Sequence, residues 1–70
     1  MKYVELNTFL KIVGIATSGG EAKQLIQSGV LLVNGVSETR NRKKLVVGDV
    51  VKYKNQKYDV VSEVTKMGEE

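Results

Sequence analysis

Arg40-Asn41-Arg42-Lys43-Lys44 sets four cations within five consecutive residues, and Ser18-Gly19-Gly20-Glu21 sets two glycines between a hydroxyl and a carboxylate. Of all segments in the chain, these two bear most directly on chemistry. The basic run suits phosphate, because the planar arginine fork meets it bidentately and lysine adds a point charge. The plain alternative is a solvated charge run. Lys52, Lys54 and Lys57, on elements expected to share one side of a sheet with the run, weigh against that alternative.

In the second segment, Ser18 and Glu21 have the S-x-x-E spacing of a capping box. The serine takes an amide of the first helical turn, and the glutamate reaches back to the cap amide. Gly19 and Gly20 then fall in that turn, where a glycine costs roughly 1 kcal/mol relative to alanine in a helix interior. One reading is close packing or a loose helix start. The other is an anion site, formed by bare amides at the positive end of a helix. Glu21 competes for those amides, whereas Lys23 can close one side.

Much other chemistry is excluded. The 70 residues contain no Cys and no His. Thiolate nucleophiles, imidazole bases, disulfides and zinc sites of the usual kind cannot be built. A chain this short has little room for a closed, water-excluding pocket, so no catalytic residue, metal or cofactor is expected. No apolar run is long enough to span a membrane, and the N-terminus lacks the pattern of a signal peptide, so a cytoplasmic location is expected. The net charge of +3 is unevenly spread. Residues 1–35 carry +1, residues 36–58 carry +5 and residues 59–70 carry −3. The middle of the chain is a positive patch able to concentrate a polyanion.

The elements that position these residues follow from periodicity. A short strand over residues 2–6 precedes a helix whose stripe is Leu6, Phe9, Leu10 and Val13, capped by Asn7 or Thr8 and ended at Gly14. A second helix follows Ser18, buries Ala22, Leu25 and Ile26, and ends at Gly29. Residues 30–33 and 36–39 form a hairpin about Asn34-Gly35, a pair suited to two consecutive positive φ angles. The basic run is a loop. Residues 45–47, a Gly48-Asp49 turn, a strand over 50–54, an Asn55-Gln56 turn and a last strand over 57–64 complete the chain, with a frayed tail from residue 65. The expected fold is one α+β domain spanning residues 1–70, with two short helices packed on a small, mostly antiparallel, twisted sheet. The expected core is Leu6, Phe9, Leu10, Val13, Ala22, Leu25, Ile26, Val30, Val33, Leu45, Val50 and Val60. Phe9 belongs to it, and Tyr53 and Tyr58 read as half-buried strand residues, so base stacking should not dominate binding.

The run FLKIVGIATSGGEAKQLIQSGVLLVNG, followed by ETRNRKKLVVGDVV, resembles the RNA-binding domain named after small-subunit ribosomal protein four, the S-four domain. The motifs are a helix, a G-I-A-x-S turn, an E-A-x-x-L-I-x-x-G helix, a hairpin ending in V-N-G and a closing G-D-x-V strand. They cover about residues 5–53. The S-G-G-E-A-K and E-T-R-x-R-K-K-L stretches are closer still to free-standing, single-domain members of the YaaA/YbcJ type. The resemblance implies an α-L-shaped RNA-binding surface. Carried over position by position, it comprises Lys11, Ser18, Gly19, Gly20, Lys23, Asn34, Arg40, Arg42, Lys43 and Lys44. Where many members of the family carry arginine, Glu5 and Gly19 stand here, and Asn7 replaces a common aspartate; the loop cluster Arg40–Lys44 moves the charge elsewhere.

Charge, helix end and resemblance together lead to the expectation of a monomeric, non-catalytic binder of structured RNA. The resemblance alone adds ribosomal RNA or ribosome assembly intermediates as the partner. Two rivals stand beside this reading. Two short helices with a tight turn could read duplex DNA in helix-turn-helix fashion. Domains of this family are also often fused to RNA-modifying enzymes, so the chain could serve as an accessory module for a partner protein.

Overall fold

The computed structural model describes residues 2–65. The element order is β1 (Val4–Glu5), α1 (Leu6–Ile12), α2 (Gly19–Gln27), β2 (Leu32–Val33), β3 (Val36–Ser37), β4 (Lys44–Leu45), β5 (Val50–Tyr53), β6 (Gln56–Asp59) and α3 (Ser62–Thr65). β1 pairs antiparallel with β4, Val4 opposite Leu45 and Glu5 opposite Lys44. A four-stranded antiparallel sheet has the order β3-β2-β5-β6. The fold is thus α+β, with two principal helices and small antiparallel sheets.

α1 turns its Leu6, Phe9 and Leu10 stripe inward, and all three are fully buried. The helix stops where expected: Gly14 takes φ +82, a value open to glycine without strain. Its start differs from the expectation. Glu5 is the N-cap and makes no side-chain cap bond, while Asn7 lies inside the first turn and accepts the Thr8 amide at 2.8 Å. α2 packs against α1 through Ala22 and Ile26.

The hairpin about Asn34-Gly35 has the expected paired positive φ angles, 52 and 84. The core differs in four places. Val30 is 51% exposed and the neighbouring Leu31 is fully buried; Val51, not Val50, faces inward. Strand side chains alternate, so Val33 and Leu31 share a face and Val30 cannot. Val13 and Leu25 are half-buried against the core rather than in it, and Val4 and Ala16 join it. Tyr53 and Tyr58 pack half-buried on the same core.

The β5–β6 turn is Lys54-Asn55, not Asn55-Gln56. The two registers differ by two residues and keep the same side chains inward, so alternation cannot choose between them. β6 also ends earlier than expected. Asp59 pairs with Val50, the first residue of β5, and beyond it the Val60 amide donates to the Asp49 carbonyl at 2.9 Å while the Val60 carbonyl accepts the Gly48 amide at 3.2 Å. Beyond that point β5 offers nothing to pair with, and the chain turns into α3. Of the tail expected to fray, residues 66–70 lie outside the described residues.

The alternation of the segment leading into β2 is open to measurement by urea unfolding. Leu31→Ala is expected to cost about 2–5 kcal/mol. Val30→Ala should stay within about 0.5 kcal/mol of the wild type.

Candidate nucleic-acid interface

The basic loop is built by backbone bonds to α1. The first amides of a helix have no acceptor within it. Here the Leu6 amide donates to the Lys43 carbonyl at 2.8 Å, and the Asn7 amide donates to the Asn41 carbonyl at 3.1 Å. A Lys43 amide bond to the Arg40 carbonyl, 3.2 Å, closes a turn around Asn41-Arg42. The loop therefore serves as the cap of α1, and α1 in turn fixes the loop.

Its charged side chains are individually oriented. Arg40 grips Glu38 with both arms of its fork, Nε to Oε2 at 2.9 Å and Nη2 to Oε1 at 3.0 Å, while its own amide donates to Oε2 at 3.0 Å. The Arg40 side-chain hydrogen bonds hold the Glu38 carboxyl down to about 2 against an upward push from burial, with the Arg40 amide and the charges of Arg40 and Lys43 adding to the depression. The same pairing raises the pKa of Arg40. Arg42 Nε donates to Glu5 Oε2 at 3.0 Å, and the Lys44 ammonium lies 4.8 Å from the centre of the Tyr3 ring. Among the described residues, neither Lys43 nor Lys44 has a carboxylate within 4.0 Å. Arg40, Arg42, Lys43 and Lys44 together line one open depression of about 470 Å³.

The start of α2 is a second, separate feature. Ser18 Oγ accepts the Glu21 amide at 3.1 Å, as a capping box requires. The return arm is displaced by one residue: Glu21 Oε1 accepts from the Thr17 amide and Oε2 from the Thr17 hydroxyl, both at 3.3 Å. A Cβ at Gly19 or Gly20 would meet no heavy atom within 4 Å, so close packing does not explain either glycine. Lys11, in the last turn of α1, and Lys23, in α2, are exposed; neither lines the basic depression.

Asn34 has structural duties. Its Nδ2 donates to Asp49 Oδ1 and its Oδ1 accepts the Val50 amide, each at 3.0 Å, tying the hairpin to the start of β5. Lys52 and Lys57 open onto a different depression from the basic loop, and Lys54 leans on the Tyr53 ring at 5.3 Å. Among the described residues, no cluster of three His, Cys, Asp or Glu could hold a metal, and no helix is long and apolar enough to cross a membrane.

A family profile for the S4 domain matches residues 1–61. The chain belongs to the S4 domain family. It is 40% identical over 60 residues, 86% of each chain, to YbcJ of Escherichia coli (strain K12), whose name marks it as a candidate RNA-binding protein. It is 42% identical over 48 residues, 69% of this chain and 68% of the other, to RlbA of Bacillus subtilis (strain 168), whose name marks it as a candidate ribosome maturation protein.

Sequence reasoning missed the partners of the cations in this S4 domain. Glu38 was within reach, because residues two apart in an extended segment lie on one side. Glu5 carried no local signal: it stands 37 residues from Arg42 and meets it only because β1 pairs with β4.

The depressed Glu38 carboxyl sets a pH dependence. Its folded value, about 2, lies below its ordinary value of 4.5, so its contribution to stability is present above pH 4.5 and fades as pH falls towards 2. Glu38→Gln should therefore be slightly less stable than the wild type at neutral pH, by the small amount usual for a surface pair. The difference should vanish in acid unfolding curves near pH 2.

Proposed function

We propose that this S4 domain is a monomeric, cytoplasmic, non-catalytic binder of structured RNA. The observation that carries the reading is the convergence of Arg40, Arg42, Lys43 and Lys44 on one open depression whose backbone is held by α1. Among the described residues, Lys43 and Lys44 have no carboxylate within 4.0 Å to displace, and Arg42 commits only Nε to Glu5. Arg40 is the most committed of the four and contributes once a phosphate outcompetes Glu38. The amides of Gly19 and Gly20 seat a further phosphate, with Lys11 and Lys23 beside the helices as outlying contacts. The names of both relatives support RNA, and that of RlbA supports ribosomal RNA or an assembling ribosomal particle as the partner.

Duplex DNA is the poorer fit. α2 offers Lys23, Gln24 and Gln27 but no arginine for guanine edges. An accessory role beside an enzyme would need a surface of another kind than a cluster of cations.

Binding of a structured RNA should weaken with salt, log K falling against log salt with a slope of about −3 if four phosphates are neutralised. Changing Arg40, Arg42, Lys43 and Lys44 together to glutamate should abolish binding at the loop and lower the share of the protein that migrates with ribosomal fractions in lysate sedimentation. A salt-insensitive affinity, or equal migration of both forms, rules this interface out, and preference for duplex DNA in competition favours the rival. Gly20→Ala separates the two roles of the helix start. It should raise stability by roughly 0.4–1 kcal/mol, since no neighbour blocks the new methyl. In an RNA titration it should bind more weakly, because the methyl keeps phosphate from the amides.

A further inference from the structure

The outer face of the four-stranded sheet carries a second cationic feature. Leu32 stands opposite Lys52, and Lys52 stands opposite Lys57. Residues directly opposite in antiparallel strands point to the same face with Cβ atoms about 5 Å apart, and like charges so placed repel. Among the described residues, neither ammonium has a carboxylate within 4.0 Å, even though Asp59 lies on the same face. Both lysines line an open depression of about 660 Å³ together with Leu32, Val50, Asn34 and Asp59. None of these residues lines the depression of the basic loop.

We propose that this depression is a second RNA contact, in which Lys52 and Lys57 close on one backbone phosphate of a separate RNA segment and the adjoining sugar or base rests on Leu32 and Val50. The inference rests on the RNA-binding reading above and extends it: the domain holds two RNA segments, one at the loop and one at the sheet.

Charge complementarity requires an anion here, and sheet topology selects its kind. β5 lies between β2 and β6 with both edges paired, so an acidic peptide lying over the depression cannot add to it as a strand, and one added at the free edge of β6 would lie beside Lys57 but a strand further from Lys52. A peptide over the depression would leave its own amides and carbonyls without partners, because the Asn34 side chain is already spent on Asp49 and Val50. A phosphodiester needs only the two ammoniums. Asp59 bars the anion from one end of the depression and so fixes where the phosphate sits.

The test counts bound RNA by native mass spectrometry, with a short RNA hairpin in excess. The wild type should carry two hairpins. Lys52→Gln/Lys57→Gln should carry one, with a salt dependence flatter by about 0.7 to 0.9 in slope for the one phosphate lost. Arg42→Gln/Lys43→Gln should also carry one. In the RNA-free protein, Lys57→Glu should raise the thermal midpoint by replacing a repulsion with an attraction, while also losing the second hairpin; a purely structural lysine would not move both readouts this way. A wild type that carries one hairpin, with unchanged affinity and salt slope in Lys52→Gln/Lys57→Gln, overturns the second site and leaves the first. A wild type that binds no RNA overturns both. Protection of Lys52 and Lys57 from reductive methylation by a polyglutamate peptide, and not by the hairpin, overturns the assignment to RNA.

Discussion

The amides of Leu6 and Asn7 lie at the start of a helix that cannot satisfy them, and they find their acceptors in the carbonyls of Lys43 and Asn41. Much of the rest follows from this. Because the acceptors are backbone atoms, the loop is held without spending any of its cationic side chains. Because they are two residues apart, the turn at Asn41-Arg42 is pressed against α1, and Lys44 enters β4 in register with Glu5. Val4 and Leu45, opposite one another in that pairing, are buried, so the apolar core anchors the same junction from below. A loop rich in like charges would otherwise spread; here its path is set by hydrogen bonds that its own repulsion does not reach.

Electrostatics then sets direction rather than strength. Glu38 and Glu5 each hold one arginine at the surface, where such pairs contribute little to stability. Their effect is to keep two long side chains from sampling every rotamer, which lowers the ordering cost of binding a ligand. Glu5 has a double place in this scheme. It is the N-cap of α1, where a negative charge suits the helix dipole, and it takes Arg42 through Nε alone, leaving the terminal nitrogens of that guanidinium uncommitted. A glutamate that reads, along the sequence, as a lost cation in the first helix is thus a positioning residue for the loop.

How far the sequence could be read follows from the range of each interaction. The helix stops at Gly14 and Gly29, the Ser18 cap and the Asn34-Gly35 hairpin are local events, and their residues declare them. The basic loop was legible as composition. What it would touch was not, because Arg42 meets Glu5 only through the pairing of β1 with β4, and residues far apart in sequence have no periodicity in common. The misplaced Val30 and Val50 came from choosing the wrong member of each apolar run: Val30 and Val33, three residues apart, cannot share a strand face, and two-residue alternation turns Leu31 and Val51 inward instead. The slipped β5–β6 turn has a different origin. Registers two residues apart bury the same side chains, and the structure places Lys54 in a left-handed conformation that its type does not advertise.

Three features of the domain break a local rule without an internal reward. Gly19 and Gly20 weaken the start of α2 although nothing packs against them. Lys52 and Lys57 face each other across β5 and β6 with no carboxylate within 4.0 Å among the described residues. Lys43 and Lys44 add charge, with no carboxylate within 4.0 Å among the described residues, to a loop that already holds two arginines. A domain of 70 residues has only a small core from which to offset such costs. Sequences that specify one structure tend to agree with it at every level, and the disagreements collect where the molecule meets something else. The common element in all three is a demand for negative charge, created by amide dipoles in the first case and by ammonium groups in the others. Each demand is small and open to solvent, which suits a ligand that presents one singly charged group per residue along a continuous chain, and suits a compact multivalent anion poorly.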